Sequence, residues 1–531
     1  MKNNKEFNTQ PSKEKMREIE NLYKSNELVI LEKKLRELIK IHPKASTLFN
    51  ILGITLQKKG FFTDAIAAFK KAIEIQPGFD HALNNVGNVL KNIGKFDEAV
   101  TYYKNAIKVN SRYAEAYTGL GNVLKEIGNF DDSISNHLKA IKINPNFAEA
   151  YSNLGNTLFE LAKFEEAAEN HNKAIKINPN YAEAYSNLGN ALGELGKFEE
   201  AIENYRQAMS INPKYKDPIL NLSLIGLAQG KFETAWKGYE FRFYKTNRNL
   251  IRYESEKIWD GNYLDGTLLV WGEQGIGDHI LFGSMLSDLK KCAKKIIVEI
   301  DKRLVNLFKN YFKKINFSNI EVIGIEEKNL RIFDKHIAIG SIAQYLRNNK
   351  ETFKNTPIKY LIPSAQKEKE LKNKYFLGNN IKIGISWKTL NKKQQFRNID
   401  IEKMLPIFKK PNCDFINLQF GETKDDLEKL KSKHGIEVQN IGEIDNFRDV
   451  ENLAALINNL DLIITIQNST AHLSAALGKE TWIMLTKNSR WHWTINEKKS
   501  LWYPKAKLFQ QDKLGDWNKV INDVSMSLKK I

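Results

Sequence analysis

Residues 182–215, which read AEAYSNLGNALGELGKFEEAIENYRQAMSINPKY, decide the fold of the N-terminal half. Earlier copies of this 34-residue pattern begin at residues 46, 80, 114 and 148. A fixed period of this length indicates stacked helix–turn–helix units. One such unit cannot bury its apolar face alone, so we expect the units to form a superhelix with a concave inner surface.

The recurring positions of the pattern have physical reasons. A small residue recurs where the two helices of a unit must touch: Gly53, Gly87, Gly121, Gly155 and Gly189. The first helix should end at a residue suited to a left-handed turn. These residues are Gly60, Gly94, Gly128 and Gly196, with Ala162 as the exception. The second helix stops before a proline, which cannot continue it.

At these residues the chain resembles tetratricopeptide repeats. The resemblance covers residues 46–215, and residues 1–45 fit a terminal tip with a degenerate capping repeat. Residues 216–265 fit another degenerate repeat with docking helices. Its aromatic residues Tyr239, Phe241 and Phe243 are the expected contacts with the next domain.

Length and cysteine usage limit the class of protein. A chain of 531 residues is too long for one hydrophobic core, so we expect several domains. Only Cys292 and Cys413 occur, which excludes a disulfide framework and a cysteine metal site. The N-terminal residues lack the apolar core of a signal peptide, and no apolar run of about 18 residues suggests a membrane span. The sequence therefore predicts a cytoplasmic protein.

The formal net charge of +18 permits two interpretations. An excess of lysine can attract phosphates, acidic surfaces or nucleic acid. The lysines are scattered, however, and no arginine-rich block with interleaved aromatic residues occurs. We favour a lysine-rich surface, and do not expect nucleic acid as a partner.

From about residue 266 the pattern changes to short apolar runs that alternate with helical segments. This alternation predicts parallel sheets covered on both faces. We expect a first Rossmann-like domain at residues 266–365 and a second at 366–531, with a polar linker at 351–380. The carboxyl ends of the strands should face a crevice between the two sheets.

Three stretches at strand ends carry candidate chemistry. The first, GEQGIGD at residues 272–278, follows a strand and opens a helix. Glycines such as Gly275 and Gly277 let a backbone approach a ligand closely, and a helix N-terminus favours anions. Asp278 is either a simple N-cap or a general base at the mouth of the crevice.

The second stretch, IGISWK at residues 383–388, ends the first strand of the second sheet. Lys388 and, beyond a polar loop, Arg397 could hold a diphosphate. The alternative is that both are solvated loop cations.

The third stretch, DLIITIQNSTAHL at residues 461–473, runs from a buried strand into a small-polar loop and a helix. Asn468, Ser469 and Thr470 can cap that helix and bind phosphate oxygens. His472 lies in the first turn, as a structural residue or as a ligand contact.

Together these stretches resemble the GT-B glycosyltransferases of the heptosyltransferase-like family. The GIGD turn, the GISWK strand end, the LQFG segment at 418–421 and the AHLSAALGK helix carry the resemblance. It implies that Asp278 deprotonates the acceptor. The predicted donor site comprises Gly275, Gly277, Lys388, Arg397, Gln419, Asn468, Ser469, Thr470 and His472. Gln467 departs from the family, which usually has an aspartate there.

The repeats also resemble those of the protein O-linked N-acetylglucosamine transferases. That resemblance implies a ladder of asparagines that holds an extended polypeptide, here Asn85, Asn153 and Asn187, with Ile51 and Gly119 interrupting it. A side-chain amide can satisfy both a peptide N–H and a C=O. The alternative is that these asparagines are solvated polar positions.

The predicted fold is an α-solenoid of tetratricopeptide repeats followed by an α/β GT-B architecture. The predicted function is transfer of a sugar from a nucleotide-sugar to a protein or peptide in the repeat groove. No Asp-x-Asp motif occurs, so we expect neither a metal nor another cofactor. The alternatives are a non-catalytic repeat scaffold with a degenerate transferase-like half and, more weakly, a nucleic-acid binder.

Overall fold

The computed structural model describes residues 10–244, 253, 257–273, 275–325, 332–390, 392–493 and 497–530. Most of the predicted terminal tip, residues 1–9, and Gln274 of the glycine-rich turn lie outside these ranges. Internal contacts divide the chain into two compact units, Met1–Leu192 and Gly193–Ile531. The domain limits given above remain predictions.

The first unit consists of consecutive helix pairs, as the 34-residue period predicts. They are α1 (Lys13–Lys24), α2 (Leu28–Ile41), α3 (Ser46–Lys58), α4 (Phe62–Ile75), α5 (Asp80–Asn92), α6 (Phe96–Val109), α7 (Ala114–Glu126), α8 (Phe130–Ile143), α9 (Ala148–Glu160), α10 (Phe164–Ile177) and α11 (Ala182–Glu194). The last helix continues into the second unit by two residues.

An aromatic ring of the second helix explains four of the recurring small residues, Gly53, Gly87, Gly121 and Gly155. A Cβ atom on Gly87 would lie 2.8 Å from the ring of Tyr103, and one on Gly121 would lie 2.7 Å from the ring of His137. Phe69 and His171 fill the same place in their units. The glycine is therefore required because the ring of the second helix occupies the space of a side chain.

The turn inside each unit has a left-handed residue. Gly60, Gly94 and Gly128 have φ between 79° and 84°, and Ala162 adopts the same conformation with φ of 58°. Alanine incurs a steric penalty in this region that glycine avoids.

The second unit begins with α12 (Phe198–Ile211), α13 (Asp217–Ala228) and α14 (Phe232–Tyr239). Its first sheet region contains β1 (Leu264–Trp271), α15 (Ile276–Gly283), β2 (Ala293–Ile300), α16 (Val305–Lys314), β3 (Ile320–Gly324), β4 (Lys335–Ala338) and α17 (Ala343–Leu346). The strands are parallel in the order β3-β2-β1-β4.

The second sheet region contains α18 (Ala365–Tyr375), β5 (Ile381–Ser386), α19 (Leu405–Phe408), β6 (Cys413–Asn417), α20 (Lys424–His434), β7 (Val438–Gln439), α21 (Val450–Asn458), β8 (Leu462–Ile466), α22 (Ser469–Ala476), β9 (Thr481–Leu485), β10 (Ala506–Gln510) and α23 (Asn518–Leu528). Its parallel order is β10-β9-β8-β5-β6-β7. Counted from β5, this is the strand order of the Rossmann fold. The chain is thus a helical solenoid followed by an α/β region with parallel sheets.

Two features differ from the sequence analysis. Strand β10 was not expected, because its segment AKLFQ is short and follows a charged stretch. The polar segment 351–380 is not simply a linker, since it contains α18, which is anchored by the buried side chain of Leu371. Within the described residues, no helix is long and apolar enough to cross a bilayer.

Aromatic residues join α14 to the sheet regions within the second unit. Trp236 donates its indole N–H to the carbonyl oxygen of Arg347 at 2.7 Å. The Tyr239 ring lies 5.8 Å from that of Trp491, and Phe243 lies 5.9 Å from Trp271. The aromatic end of the degenerate repeat is therefore part of the large hydrophobic core.

Replacing His137 and His171 together by tyrosine should remove an acid sensitivity of the repeats. Burial lowers the pKa of His137 to about 3 and that of His171 to about 4. Below pH 6.5 the two imidazoles are therefore protonated in the unfolded chain but remain neutral in the folded chain. The free energy of unfolding decreases as the pH is lowered. At pH 5 the loss is about 2 kcal/mol per histidine.

The measurement is the thermal unfolding of helical circular dichroism at pH 5 and pH 8. Tyrosine suits the site, since the equivalent Tyr103 donates to Asn88 at 2.7 Å. The exposed His81→Gln variant is the control and should retain the wild-type difference between the two pH values. If the double variant kept the wild-type difference in Tm between pH 5 and pH 8, the two buried histidines would not be the source of the acid sensitivity.

The Ala162→Gly variant should be more stable by about 1 kcal/mol, because glycine relieves the left-handed strain. The converse change, Gly128→Ala, should destabilise its turn by a similar amount. Both effects are read as shifts in Tm of the same helical signal. A lower Tm for Ala162→Gly would show that another contact holds this turn.

Candidate functional site

The turn after β1 is held by a buried ion pair. Glu273 and Arg242 are each 4% exposed. The Arg242 guanidinium donates to the two Glu273 carboxylate oxygens at 2.5 and 2.8 Å, and also to the hydroxyl of Ser341 at 2.7 Å. The backbone N–H of Gly340, after β4, donates to the same carboxylate. This network fixes the loops at the carboxyl ends of β1 and β4.

Asp278 lies in the first turn of α15 and is half-buried. Gly275, not Asp278, holds the N-cap position, so the simple N-cap interpretation is wrong. Burial raises the pKa of Asp278, while the charge of Arg490 and a hydrogen bond from the Gly275 N–H lower it in part. A carboxylate with a raised pKa is better matched to proton transfer near neutral pH.

Helix α15 packs against α22, so the first and second sheet regions meet at these two helices. A Cβ atom on Gly277 would lie 3.4 Å from Cδ2 of His472 and 3.8 Å from its Nε2. The absence of a side chain at Gly277 therefore allows the His472 ring to approach the turn that carries Asp278.

Two tyrosine hydroxyl groups lie beside His472 and α15. The Tyr360 hydroxyl donates to the carbonyl oxygen of Ile280 at 2.9 Å. Nδ1 of His472 lies 2.7 Å from the Tyr503 hydroxyl, and the two groups share a hydrogen bond. Burial lowers the pKa of His472 to about 3, so the ring is neutral near neutral pH.

The loop after β8 is organised by Asn468. Its side-chain oxygen accepts from the N–H groups of Thr470 and Ala471 at 3.0 and 3.3 Å, which caps α22. Its amide nitrogen donates to the Ser386 hydroxyl at 2.7 Å and to the carbonyl oxygen of Lys388 at 3.2 Å. The cap predicted from the sequence is present, and it also ties the loop to the end of β5. Ser469, the first residue of α22, is half-buried.

Lys388 and Gln419 have mainly structural partners. The Lys388 ammonium forms an ion pair with Asp426 on α20. The Gln419 side-chain oxygen accepts from Ser386 Oγ at 3.0 Å and from the backbone N–H groups of Trp387 and Lys388 at 3.0 and 2.7 Å. The backbone of Lys388 therefore bonds to Gln419 and Asn468, while its ammonium group pairs with Asp426 on α20.

Arg397 lies in a different charge group. It is buried, and burial together with the charge of Arg490 lowers the pKa of Arg397 to about 10, against the opposing effect of Glu194. Burial raises the pKa of Glu194, although Arg397 and Arg490 act in the opposite direction. Arg490 also influences Asp278 and His472. Arg490 is exposed, and its charge acts on Arg397 and on both of these candidate side chains.

Sequence reasoning missed Arg490, Glu273 and Arg242. Arg490 directly precedes the aromatic segment Trp491-His492-Trp493. A basic residue next to that segment was the one sequence feature that pointed to Arg490. The partners Arg242 and Glu273 are 31 residues apart, and no local pattern joins them.

The asparagines of the predicted ladder lie in the first unit. Asn85, Asn153 and Asn187 belong to α5, α9 and α11, and all three are half-buried. Asn85 donates to the side-chain oxygen of Asn50 at 3.0 Å. Their binding role remains a prediction.

Comparison with known proteins identifies the repeats. A TPR repeat model matches residues 87–128, 121–162 and 155–196, and tetratricopeptide repeat models match 182–215 and 46–79. Tetratricopeptide repeats are therefore present, and repeats of this kind point to protein–protein interaction.

Protein FlbA of Caulobacter vibrioides is a curated relative, 28% identical over 319 residues, or 55% of this chain and 52% of FlbA. The chain thus spans about half the length of that relative. The MamA crystal structure is 28% identical, with 32% of this chain and 92% of MamA covered and a TM-score of 0.28. A thermophilic TPR protein of Thermus thermophilus is 21% identical, with 34% and 97% covered and a TM-score of 0.31.

Asp278→Asn should raise the Tm of the protein at pH 7. The raised pKa of Asp278 means that the folded chain keeps this proton to a higher pH than the unfolded chain, whose value is near 3.8. The ionised carboxylate therefore costs stability at neutral pH, and the cost disappears as the pH falls towards 4.

The measurement is thermal unfolding of both proteins between pH 4 and pH 8. Asp265→Asn removes an exposed carboxylate from β1 and controls for the change in net charge. A lower Tm for Asp278→Asn than for wild type at pH 7 would show that the Asp278 carboxylate stabilises the start of α15 after all.

Proposed function

We propose that this protein is a glycosyltransferase of GT-B architecture that moves a sugar from a nucleotide-sugar to a protein or peptide acceptor. The observation that carries the proposal is the contact of α15 with α22. Asp278 and His472 belong to these helices, which follow the carboxyl ends of strands in two different parallel sheets. Ligands of parallel α/β sheets bind at such carboxyl ends.

The donor diphosphate would lie between α22 and the arginine pair. The N-terminus of α22 offers the positive end of its dipole and the hydroxyl groups of Ser469 and Thr470, since its N–H groups at Thr470 and Ala471 are capped by Asn468. Arg397 and Arg490 offer guanidinium donors. Both kinds of group favour anions. Burial and, after it, the charge of Arg490 lower the pKa of Arg397, and a bound diphosphate would offset both effects. Ser469 and Thr470 belong to the same proposed site, and the backbone of Lys388 forms part of its wall.

The chemistry follows from the position of Asp278. Its carboxylate takes the proton of an acceptor hydroxyl, whose oxygen attacks the anomeric carbon of the sugar. The bond from that carbon to the diphosphate oxygen breaks, and the electron pair leaves with the nucleoside diphosphate. The arginines and the helix N-terminus stabilise the charge that develops there.

The repeats would recruit the acceptor. Asn85, Asn153 and Asn187 can each bind a peptide N–H and C=O, which makes recognition independent of sequence. In this proposal residues 266–365 face the acceptor and residues 366–531 hold the nucleotide-sugar.

Nucleoside diphosphate binding tests the donor site. Calorimetry with UDP, GDP, ADP and CDP should show binding of at least one of them to the wild type. Arg397→Gln and Arg490→Gln should each weaken it about tenfold or more, since each removes charge-assisted hydrogen bonds. The exposed Arg112→Gln in the repeats is the matched control and should leave the affinity unchanged.

Asp278→Asn should bind the same nucleoside diphosphate as tightly as the wild type. Its rate of sugar transfer, measured as nucleoside diphosphate formed from the nucleotide-sugar, should be about 100-fold lower, because the general base is lost. Full turnover in this variant would remove Asp278 from the mechanism. Failure of every nucleoside diphosphate to bind the wild type would instead favour a non-catalytic repeat scaffold.

A further inference from the structure

The first helix of each repeat carries a stripe of residues spaced by four, three and four positions, a spacing that keeps them on one face of the helix. In α7, α9 and α11 this stripe is rich in glutamate and asparagine. Its members are Glu115, Gly119, Asn122 and Glu126, then Glu149, Asn153, Asn156 and Glu160, then Glu183, Asn187 and Asn190. Apart from Gly119 they are exposed or half-buried, so this face of the helices lies outside the core. Glu194 ends the stripe of α11 but belongs to the second unit, where it interacts with Arg397.

The stripes of neighbouring helices lie side by side. Helices α3, α5, α7 and α9 pack in this order, each against the next. Burial lowers the pKa of Lys91, near the end of α5, and the charge of Glu149 on α9 opposes that effect. Because α7 lies between these two helices, their side chains face a common space, as the concave side of a repeat superhelix requires. Together the stripes of α3 to α11 form the inner face of the repeats.

Helix stability explains only part of the negative charge on the inner face. Glu115 and Glu149 lie in the first turns of their helices, where a negative charge suits the helix dipole. Glu126 and Glu160 are the last residues of the same two helices, where that dipole disfavours a negative charge. The second row of glutamates therefore does not serve to stabilise the helices that carry it.

The inner face is negative although the protein as a whole is positive. Two lysines beside it, Lys91 and Lys125, offset part of the charge of its five glutamates in the first unit, and Lys125 pairs with Glu126 at 3.2 Å. Residues 114–215 contain nine lysine and arginine residues against fourteen aspartate and glutamate residues, while the whole chain has a formal net charge of +18. A basic partner is therefore attracted to these repeats and repelled by the rest of the chain.

The other end of the inner face is apolar. In α3 the two stripe positions that hold asparagine in the next repeat hold Ile51 and Ile54, and both side chains are half-buried at the edge of the hydrophobic core. Lys58 ends this stripe, and its ammonium group lies 3.8 Å from the centre of the Tyr23 ring. The isoleucines favour an apolar side chain of a partner here, and the positive charge of Lys58 disfavours a basic one.

The spacing of the helices predicts the spacing of residues in a bound polypeptide. Packed helices lie about 8–10 Å apart, and an extended chain advances about 3.3 Å per residue. Each helix therefore corresponds to about three residues of the bound chain. A side chain at α3 is then separated by about six residues from the first side chain at α7, and side chains about three residues apart meet α7, α9 and α11.

We propose that the inner face binds an extended polypeptide with an apolar side chain at one end and regularly spaced basic side chains at the other. The apolar side chain contacts Ile51 and Ile54, and the basic side chains pair with the glutamates of α7, α9 and α11. The asparagines can hold a main chain of any sequence, whereas the two ends of the face select the sequence and fix its position. This binding does not require sugar transfer, and only the role of the bound chain as the acceptor rests on the proposed function.

The test measures the fluorescence anisotropy of labelled peptides of about 14 residues with the full chain. The complete peptide carries leucine at one end and three evenly spaced lysines at the other, in a background of serine and alanine, and is made in both chain directions. At least one direction should bind the wild type about tenfold more tightly than a peptide of serine and alanine alone. Physiological salt should weaken this binding relative to low salt, since the ion pairs are exposed.

Two sets of substitutions separate the ends of the inner face. Glu115→Gln, Glu149→Gln and Glu183→Gln together should weaken the complete peptide about fivefold or more, so that it binds no more tightly than a peptide with leucine and no lysine. Ile51→Asn with Ile54→Asn copies the residues of the next repeat. In this variant the complete peptide should bind no more tightly than a peptide with lysines and no leucine.

The matched control removes the same charge from the outer helices. Asp131→Asn, Glu165→Gln and Glu169→Gln change exposed residues of α8 and α10 and should leave the affinity for the complete peptide unchanged. A control variant that lost as much affinity as the glutamate variant would show a general charge effect and overturn the inference. All variants should bind the nucleoside diphosphate with wild-type affinity.

Equal affinity of the wild type for the complete and the uncharged peptide would overturn the inference, as would wild-type affinity in both the glutamate and the isoleucine variants. Sedimentation that showed pairing of wild-type chains, lost in the glutamate variant, would assign the inner face to the basic surface of a second copy instead. A wild type that binds the nucleotide but none of the peptides removes the inference and leaves the proposed function. If the peptides bind as expected but no nucleotide binds, the inner face stands as a polypeptide site and the proposed function fails.

Discussion

The buried pair of Arg242 and Glu273 is the interaction on which the candidate site depends. Removing two charges from water costs several kcal/mol per ion, and the attraction offsets this only when the remaining hydrogen bonds are made. Here Glu240, Ser341 and the carbonyl oxygen of Tyr239 accept the remaining guanidinium N–H groups, and the N–H of Gly340 donates to Glu273. Arg242 follows the last repeat helix, whereas Glu273 precedes α15. Any movement of the turn that carries Asp278 would therefore expose or unpair a buried charge, so the pair holds this turn rigid.

Burial shifts the pKa values of two groups in the candidate site in opposite directions. It raises the pKa of the Asp278 carboxyl and lowers the pKa of the Arg397 guanidinium. Both shifts mean that water no longer fully stabilises the charged forms of these groups. Arg490 influences both groups, and the Glu194 carboxylate opposes the effect of Arg490 on Arg397. Electrostatic stabilisation is strongest where charges are fixed and water is excluded.

The features that depend on local periodicity could be predicted from the sequence. The repeat period placed the helix pairs, and every short apolar run identified in the second half became a parallel strand. Strand β10 was missed, because its sheet position depends on pairing with β9 and not on its own composition. Lys388 was assigned to the ligand, because residue type and strand position cannot reveal that Asp426, 38 residues later, takes its charge. The position of Asp278 within its helix was also left open, since spacing alone does not fix which residue is the cap.

Gln467 shows why a departure from a family pattern need not indicate loss of function. An aspartate at this position could not donate a hydrogen bond to Thr486, as the amide of Gln467 does. An ionised carboxylate with its burial would also need a cation to stabilise it. The amide instead joins the loop of α22 to the loop after β9 without adding negative charge beside the proposed phosphate site. Gln467 thus forms a neutral link between the two loops, which an aspartate could not form in the same way.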